Sequence, residues 1–545
     1  MKKLIIAILA VAGALPVAAQ DTYEGAKIMT EDLNGTARYV GMGGAMDALG
    51  ADISTIATNP AGIGLFRHPV ASVSLGVVSQ QDVKKFDQLS KTNVSFDQIG
   101  FVYSSRTDIQ SFVNFGFNFH KSRNFDQILS VADTHMGGRA SMNKLAYGKH
   151  KRGKVDNGGY SLDFNNSGEL MGYEDNNSNY RANTYSQWDY LLMNALNAEQ
   201  AIDPQTGEEY TDIGYVESDV YNFDRAHRGW ISEYDFNLSG NINDRVYLGL
   251  TIGIHDVNYK GYSEYTEGLL FANGSDAGIV TLADERKIEG TGYDVKAGVI
   301  FRPVEFSPFR IGVSVSTPTW YKLTSTNSTV LFNQSATGSF DKGENGESYD
   351  FKLYTPWKFG LSAGTTFGTM LAVGASVDYA DYGSTDVRIN DGYYDYYGDE
   401  GSFSDRAMKD NIDRSLKGMA TFKIGAELKP DPCMAVRLGY NYVSPMYEKD
   451  GVRDMTLNSP GVMYASTTDY VNWESTNRIT CGLGYKTGNV SLDLAYQYST
   501  TNGKFYPFQP DLTFNDFGAN ENNVCSPADV SNKRHQLLFT LGYTF

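Results

Sequence analysis

The residues of this chain that could perform chemistry are scattered, and none stands in the spacing of a known catalytic motif. His255 directly precedes Asp256, but neighbouring residues of a strand point to opposite faces, and a single such pair offers no nucleophile. We therefore expect a solvated pair. The chain contains no G-x-S-x-G run, no P-loop and no dinucleotide fingerprint, which predicts a protein that is not an enzyme and holds no cofactor.

Metal-binding patterns are also missing from the sequence. The seven His residues show no pairing by spacing, which gives no support for a zinc or a haem site. The three Cys residues, Cys433, Cys481 and Cys525, form no disulfide framework. The acidic stretch from Asp391 to Asp405 could bind calcium, but it lacks the D-x-D-x-D-G order of an EF loop. A solvated loop and no metal are predicted.

The first nineteen residues have the pattern of a secretory signal. Lys2 and Lys3 precede the apolar run 4–15, and small residues around Ala19 fit a cleavage site ahead of Gln20. The apolar run is too short for a helix across a bilayer of about 30 Å, which needs roughly 20 residues. A retained N-terminal anchor is the alternative. We predict that residues 1–19 are a signal peptide and that the mature protein leaves the cytoplasm.

Composition narrows the classes that remain for an exported chain. The mean hydropathy is −0.36, and charged residues or Gly interrupt every later apolar stretch, which excludes a helical membrane protein. The formal charge of −18 becomes −20 once Lys2 and Lys3 are removed, which argues against nucleic acid as a partner. With 56 Gly, 37 Tyr and 29 Phe but 15 Pro, the composition favours a transmembrane β-barrel over a soluble protein.

The final residues show the strand pattern of such a barrel most clearly. One face carries an apolar or aromatic side chain at every second position, and the other face is mostly polar or small: Leu537, Phe539, Leu541, Tyr543 and Phe545 share the first face. Leu541, Tyr543 and the terminal Phe545 resemble the signal that the barrel assembly machinery reads in outer-membrane proteins. The machinery is therefore an expected partner.

Similar alternation recurs along the chain and gives about fourteen antiparallel strands in one domain, residues 71–545. Arg437 and Asp493 fall in mid-strand, where a watery lumen accepts a charge that a buried core rarely does. Short connections alternate with long polar ones, the arrangement of periplasmic turns and external loops. The expected fold is an all-β transmembrane β-barrel whose long external loops carry short helices.

The longest interruption, at about 122–229, is predicted to lie outside the cell. It contains an amphipathic helix over SQWDYLLMNALNAEQ, in which Ser186 and Asp189 fit a capping box. A weaker helix is predicted from Asn124 to Asp133. The apolar face of the first helix either packs against neighbouring elements over the barrel mouth or forms an external groove for an apolar ligand; that face carries Trp188, Leu191, Leu192 and Ala195.

Residues 20–70 do not alternate and are too few to form a core of their own. A barrel about fourteen strands wide has a lumen to fill, so we predict that this segment is a hatch inside it. Its glycines allow tight turns and close approach to the wall; they include Gly41, Gly43, Gly44 and Gly62. The tripeptide Asn59-Pro60-Ala61 also fits a helix-terminating turn, and both roles stay open.

This segment resembles the long-chain fatty-acid and aromatic-hydrocarbon transporter family of outer-membrane proteins, the FadL type. The residues that carry the resemblance are Ala37-Arg38, 41–45 (GMGGA), Asn59-Pro60-Ala61-Gly62, Thr355-Pro356-Trp357-Lys358 and Phe545. The resemblance implies a fourteen-stranded barrel with an N-terminal hatch, which takes up hydrophobic molecules passively and releases them laterally into the membrane. It also implies contact with outer-membrane lipid and lipopolysaccharide. The sequence does not indicate the oligomeric state, although a plugged barrel needs no partner chain for stability and is compatible with a monomer.

Two other functions compete with transport. Some proteins of the same fold serve protein secretion or surface attachment without a small ligand, and fold alone does not decide between these functions. An outer-membrane hydrolase would need a nucleophile beside a His at the barrel rim, for which the sequence offers no motif.

Overall fold

The structure is a computed structural model that describes residues 21–134, 139–155, 160–164, 170–175, 186–194, 198–202, 209–271, 273–305, 307–336, 338–344, 348–394, 400–516 and 519–545. The predicted signal peptide lies outside these residues. The strands are β1 (Val70–Gln80), β2 (Thr92–Asp108), β3 (Ser111–Asn124), β4 (Gln127–Thr134), β5 (Tyr160–Phe164), β6 (Leu170–Asp175), β7 (Ala198–Ile202), β8 (Glu209–Ile213), β9 (Glu217–Ile242), β10 (Val246–Leu270), β11 (Asp276–Phe301), β12 (Arg310–Ser316), β13 (Trp320–Ser335), β14 (Gly338–Glu344), β15 (Ser348–Tyr354), β16 (Lys358–Phe367), β17 (Leu371–Asp381), β18 (Asp386–Tyr394), β19 (Glu400–Ser404), β20 (Gly418–Asp431), β21 (Met434–Val443), β22 (Tyr470–Thr487), β23 (Val490–Tyr506), β24 (Asp511–Asp516), β25 (Ala519–Val524) and β26 (Ala528–Thr544).

Helices in the described residues are few and mostly short. The α-helices are α1 (Thr22–Met29), α2 (Ala37–Gly41), α3 (Met142–Val155), α4 (Gln187–Asn194), α5 (Arg406–Ser415) and α6 (Pro460–Met463), and 3-10 turns occupy Ile53–Ala57, Pro60–Leu65 and Tyr382–Ser384. No helix in the described part of the chain is both long and apolar enough to cross a bilayer.

Fourteen antiparallel strands close into one barrel, because β1 pairs with β2 on one side and with β26 on the other. Three of the wall strands each consist of two consecutive elements, β12 and β13, β15 and β16, and β17 and β18. The order around the wall is β1, β2, β3, β9, β10, β11, β12/β13, β15/β16, β17/β18, β20, β21, β22, β23 and β26. Further strands lie outside this ring, among them β4 along β9 and the hairpin of β24 with β25. The predicted barrel of about fourteen strands is confirmed.

The alternation that predicted the strands also sets their two faces. In β10 the side chains of Leu248, Leu250 and Ile252 are about half exposed on the outer surface. Thr251 and His255, on the opposite face, are buried. A lipid environment favours this arrangement, since apolar side chains face the hydrocarbon and polar ones face the lumen. His255 is therefore buried inside the barrel, and the expectation of a solvated His255–Asp256 pair is wrong for the histidine.

Two neighbouring wall strands are interrupted side by side, and each interruption contains a proline. Pro318 lies between β12 and β13, and Pro356 lies between β15 and β16. The pairs Ser316–Lys358 and Trp320–Tyr354 flank the interruption, so the two gaps face each other. A proline cannot donate to the ladder. The next strand is also broken, by the 3-10 turn between β17 and β18.

The longest strands are longer than a bilayer requires, and the part of the protein beyond the membrane-spanning wall at this end is here called the external region, after its predicted location. β9 contains 26 residues and spans roughly 85 Å at about 3.3 Å per residue, whereas a bilayer needs about 9–11 residues of a tilted strand. The weaker helix predicted from Asn124 to Asp133 is wrong, because β4 pairs with the outer part of β9 instead. The stronger predicted helix is shorter than expected and ends at Asn194 in α4.

Residues 21–69, here called the N-terminal segment, contact the inner face of the barrel wall. A Cβ atom at Gly249 of β10 would lie 2.3 Å from the carbonyl carbon of Pro60, and one at Gly439 of β21 would lie 2.2 Å from the backbone nitrogen of Gly43. Both wall positions therefore need glycine, because any side chain would overlap the N-terminal segment.

Candidate ligand site inside the barrel

The glycine motif of the N-terminal segment forms a tight turn against the wall. Helix α2 ends at Gly41, and Gly43 and Gly44 follow with φ angles of 64° and 79°. These left-handed angles favour glycine. The nearest wall atom to a Cβ at Gly43 would be the backbone nitrogen of Tyr440, at 2.9 Å. The motif therefore supplies both a turn and a close backbone contact.

The Asn-Pro-Ala tripeptide begins the 3-10 turn Pro60–Leu65. The side chain of Asn59 accepts a hydrogen bond of 3.2 Å from the backbone nitrogen of Ala61, which makes Asn59 the N-cap. Gly62 is buried, and its backbone nitrogen donates to the carbonyl of Asn59 at 2.9 Å. The same turn touches the inward glycines of β10 and β11. The turn is thus observed, and the hatch role stays a prediction.

Buried ion pairs join the N-terminal segment to the opposite part of the wall. Arg38 lies 3.0 Å from Glu427, which also pairs with Arg437 at 2.7 Å. Arg437 in turn lies 2.6 Å from Asp493. The two mid-strand charges that the sequence placed in a watery lumen, Arg437 and Asp493, do face inward and pair with each other.

A cavity of about 330 Å³ lies in the lumen between the N-terminal segment and the wall. Part of its lining is apolar: Ala26, Leu33, Phe125, Met419, Met446, Tyr447 and Trp473. The rest is polar and strongly charged, and it includes side chains from many wall strands. A molecule with an apolar body and a charged end matches this division.

Three arginines of the cavity surround one carboxylate of the N-terminal segment. Asp32 lies 3.2 Å from Arg123 of β3, 3.9 Å from Arg478 of β22 and 3.9 Å from Arg534 of β26. The backbone nitrogen of Asn124 also donates to Asp32, at 2.9 Å. Among the described residues, Asp32 is the single acidic side chain within 4.0 Å of these guanidinium groups. The cluster therefore keeps an excess of positive charge.

The cavity also reaches the interrupted strands. Lys358 and Gly360 of β16 line it, together with Phe359, which is 56% exposed on the outer surface. Tyr379 of the adjacent β17 lines it as well and is 49% exposed. The cavity therefore reaches the barrel wall beside the two proline gaps, at residues whose side chains are exposed on the outer face.

The predicted external groove residues are packed in the interior of the external region. Trp188, Leu191 and Leu192 of α4 are buried at 0%, 0% and 1% exposure. Ser186 and Asp189 form the predicted capping box: the backbone nitrogen of Ser186 donates to Asp189 at 2.9 Å. Ala195 lies outside the described residues. A ligand would reach these side chains only if the external region opened.

The predicted assembly signal lies on the outer face of the last strand. Leu541 and Tyr543 are each 43% exposed, and Phe545, directly after β26, is 68% exposed. The backbone nitrogen of Phe545 donates to the carbonyl of Pro69 at 2.9 Å, which fixes it beside the start of β1. Recognition of these residues by the assembly machinery stays a prediction.

Sequence reasoning missed the cluster around Asp32. Each arginine lies in or beside a segment whose alternation was recognised, so the inner face of the strand could have been assigned. The three arginines meet because strand register places them at the same level of the barrel. The sequence carries no signal for the register that relates β3, β22 and β26.

The closed barrel, with a chain segment and a cavity against its inner wall, defines a class of fold, the fourteen-stranded antiparallel β-barrel. No protein-family model and no curated protein matches the chain. Among solved structures it is similar to a Pseudomonas aeruginosa FadL homologue, with a TM-score of 0.50 and 12% identity over 95% of this chain and 99% of that one.

Two toluene transporters are also similar to this chain. TbuX of Ralstonia pickettii has 12% identity, covers 94% of this chain and 99% of its own, and gives a TM-score of 0.46. TodX of Pseudomonas putida has 11% identity, covers 95% and 100%, and gives 0.45. The match to the FadL homologue confirms that this chain has the FadL-type fold that the N-terminal motifs predicted.

Proposed function

We propose that this protein is an outer-membrane channel for the passive uptake of hydrophobic small molecules, with long-chain fatty acids as the preferred class. The observation that carries the proposal is the lumenal cavity, which joins an apolar lining to a cluster of three arginines. The FadL homologue of Pseudomonas aeruginosa, which has a similar fold, agrees with this class of function. The arginines favour a ligand with an anionic end over a neutral hydrocarbon.

The arginine cluster suits a carboxylate for an electrostatic reason. Arg123, Arg478 and Arg534 lie around the single carboxylate of Asp32. A guanidinium group can donate to both oxygens of a carboxylate. A fatty-acid carboxylate could replace Asp32 in this position, while its chain enters the apolar part of the cavity.

The interrupted strands support lateral release into the membrane. Pro318 and Pro356 remove two backbone donors from adjacent strands at one level. The cavity lining reaches Phe359 at the same place, and this side chain is exposed on the outer surface. Because leaving water is what favours apolar solutes, a lateral path keeps the chain of the ligand in apolar surroundings. We place the exit here.

In this proposal the N-terminal segment acts as the hatch. It occupies the lumen through close backbone contacts at Gly43 and Pro60 and through the Arg38–Glu427 ion pair. A ligand carboxylate that replaces Asp32 breaks the ion pair between Asp32 and Arg123, one of the contacts that join this segment to the wall. A shift of the segment then opens the path, and no energy source is required.

The test is uptake by proteoliposomes that contain the refolded mature chain and carry lipopolysaccharide in the outer leaflet. The solutes are a labelled long-chain fatty acid, a fatty alcohol of equal length and a small sugar. We expect fatty-acid entry well above that of protein-free liposomes, without sugar entry. R478Q should slow the acid more than the alcohol, and R414Q, an exposed arginine of α5, should change neither. Entry no faster than in protein-free liposomes would exclude transport and favour the secretion or attachment function.

A further inference from the structure

A second cluster of buried charged and imidazole side chains lies in the lumen wall, apart from the three arginines. It spans four consecutive wall strands, β3, β9, β10 and β11, and all its members are less than one-tenth exposed: His120, Glu233, Asp235, His255, Asp294 and Lys296. The sequence separation of these residues gave no metal-binding pattern. Strand pairing alone brings them together.

The cluster carries more negative than positive charge. Lys296 forms a close ion pair with one oxygen of Glu233 and lies 3.3 Å from Asp235 Oδ1 and 3.8 Å from Asp294 Oδ1. Three carboxylates and one ammonium leave a formal charge of −2. The neighbouring Glu31 pairs with Lys358 and adds no net charge. That count takes both imidazoles as neutral. Uncompensated buried charge of this size is costly, so bound protons or a further cation are expected to balance it.

His120 has an ordinary explanation within this cluster. The amide of Gln98 donates to Asn118 Oδ1 at 3.0 Å, which orients the Asn118 amide group. Asn118 Nδ2 then donates to Nδ1 of His120 at 3.2 Å. The proton of His120 is consequently on Nε2, which faces Glu233 Oε2 at 3.6 Å. Donor and acceptor match at Nε2, whereas Nδ1, besides accepting from Asn118, lies 3.5 Å from Asp235 Oδ2.

His255 also has a carboxylate beside each of its ring nitrogens. Its Nε2 lies 3.1 Å from Asp294 Oδ2, and because a carboxylate accepts, Nε2 carries the proton. In the neutral ring the lone pair is then on Nδ1, which has no hydrogen-bond partner and faces Glu233 Oε2 at 3.7 Å. In that state two electron-rich atoms face each other in a buried place, and either a second ring proton or a metal ion between them removes the repulsion. Asp294 Oδ1 also accepts no hydrogen bond.

We propose that Glu233, His255 and Asp294 bind one divalent transition-metal ion. Each offers one ligand atom, and these atoms lie within 4.8 Å of one another. Two ligand atoms about 2.1 Å from a metal at tetrahedral to trigonal angles are roughly 3.4–3.6 Å apart, close to the 3.7 Å between His255 Nδ1 and Glu233 Oε2. The ion cancels the charge of −2.

The ligand types select the class of metal. Imidazole nitrogen suits zinc, iron and copper, whereas sites made of oxygen alone suit calcium and magnesium. Zn²⁺ is therefore the first probe, and Ca²⁺ is the ion expected to bind poorly.

The test is equilibrium dialysis of the full mature chain against Zn²⁺ after chelator treatment, followed by measurement of bound metal. We expect about one Zn²⁺ per chain and little Ca²⁺. H255N and D294N should lower the zinc affinity at least about tenfold. H68N, which changes an exposed histidine outside the cluster, should leave it unchanged.

Two further measurements separate loss of metal binding from loss of folding and report on the metal ligands directly. The mobility of the unheated chain on a gel shows whether each variant forms the barrel, so that lost binding is not confused with lost folding. Co²⁺ in place of Zn²⁺ should give visible absorption bands that H255N abolishes. Well under one Zn²⁺ per folded chain, or equal affinity in H255N and the unchanged protein, would overturn the proposal.

Discussion

The carboxylate of Asp32, on the N-terminal segment, lies 3.2 Å from the guanidinium of Arg123 on β3. The segment thus places its own carboxylate where the proposed ligand would place one. D32N should therefore strengthen the binding of a long-chain fatty acid, because the ligand no longer competes with a tethered anion. We expect about a fivefold gain, equivalent to about 1 kcal/mol. Fluorescence titration of the refolded chain with a fatty-acid probe measures it.

The matched control for this variant is D82N, which neutralises an acidic side chain in the exposed turn after β1. D82N should bind the probe as the unchanged protein does. Weaker binding by D32N would mean that Asp32 organises the arginines for the ligand instead of competing with it.

The paired proline gaps predict a specific defect in release. The double variant P318A/P356A restores two backbone donors to adjacent strands, so the ladder can continue and the gap should narrow. We expect fatty-acid entry into proteoliposomes to fall several-fold while binding in detergent stays within about twofold. P303A, which changes a proline in the turn between β11 and β12, is the control. Unchanged entry in the double variant would place the exit elsewhere.

The contact between Gly249 and Pro60 predicts a leak. In G249A the new Cβ would lie 2.3 Å from the carbonyl carbon of Pro60. Overpacking of this kind lowers the free energy of unfolding by about 1–3 kcal/mol. The N-terminal segment should then move from the wall and admit small sugars, which liposome swelling detects. G214A, at an exposed position with open space around it, should not leak. A sealed G249A barrel would show that this contact is not needed for closure.

Much of the barrel could be predicted because lipid imposes a simple rule on each strand. Alternation along β10 marked Leu248 and Leu250 as outward, and the structure agrees. The charged side chains of Arg437 and Asp493 indicated which face of their strands lines the lumen, because lipid disfavours charge. Alternation and helical spacing were less precise about boundaries: the helix predicted over SQWDYLLMNALNAEQ ends at Asn194 in α4.

The contacts between distant residues could not be predicted. A shift of two residues in strand register keeps every side chain on the same face but changes its partners. Alternation therefore predicts that His255 faces inward but does not predict its contact with Glu233. The strand β4 was missed for a related reason, since its pairing with β9 outweighs the helical spacing of Ile128, Leu129 and Ala132.

Trp188 offers a test of the external region. Its side chain is fully buried, with the ammonium of Lys149 4.6 Å from the ring centroid. Replacing a buried Trp with Ala costs about 3–5 kcal/mol, so W188A should make the external region sensitive to limited proteolysis while the barrel survives. W188F should stay largely protected. Weaker fatty-acid binding by W188F with normal protection would instead support the groove function of this helix.

The two cysteines outside the membrane region should differ strongly in reactivity. Cys433 is exposed in the turn between β20 and β21, whereas Cys525 is 3% exposed and its thiol donates to the carbonyl of Phe508 at 3.5 Å. Burial raises the pKa of Cys525 to about 12. At pH 8 only about one in 10⁴ of such thiols is ionised, against roughly a quarter for an ordinary cysteine.

Alkylation at pH 8 should therefore modify Cys433 at least about a thousandfold faster than Cys525, because the thiolate is the reacting form. Each unit of added pH should speed the slow reaction about tenfold as long as the protein stays folded. Mass spectrometry of C433S and C525S assigns the two rates, and denaturant should make them equal. Rapid modification of Cys525 in the folded protein would mean that the region around β24 and β25 opens readily, and an external entry path through it would then gain support.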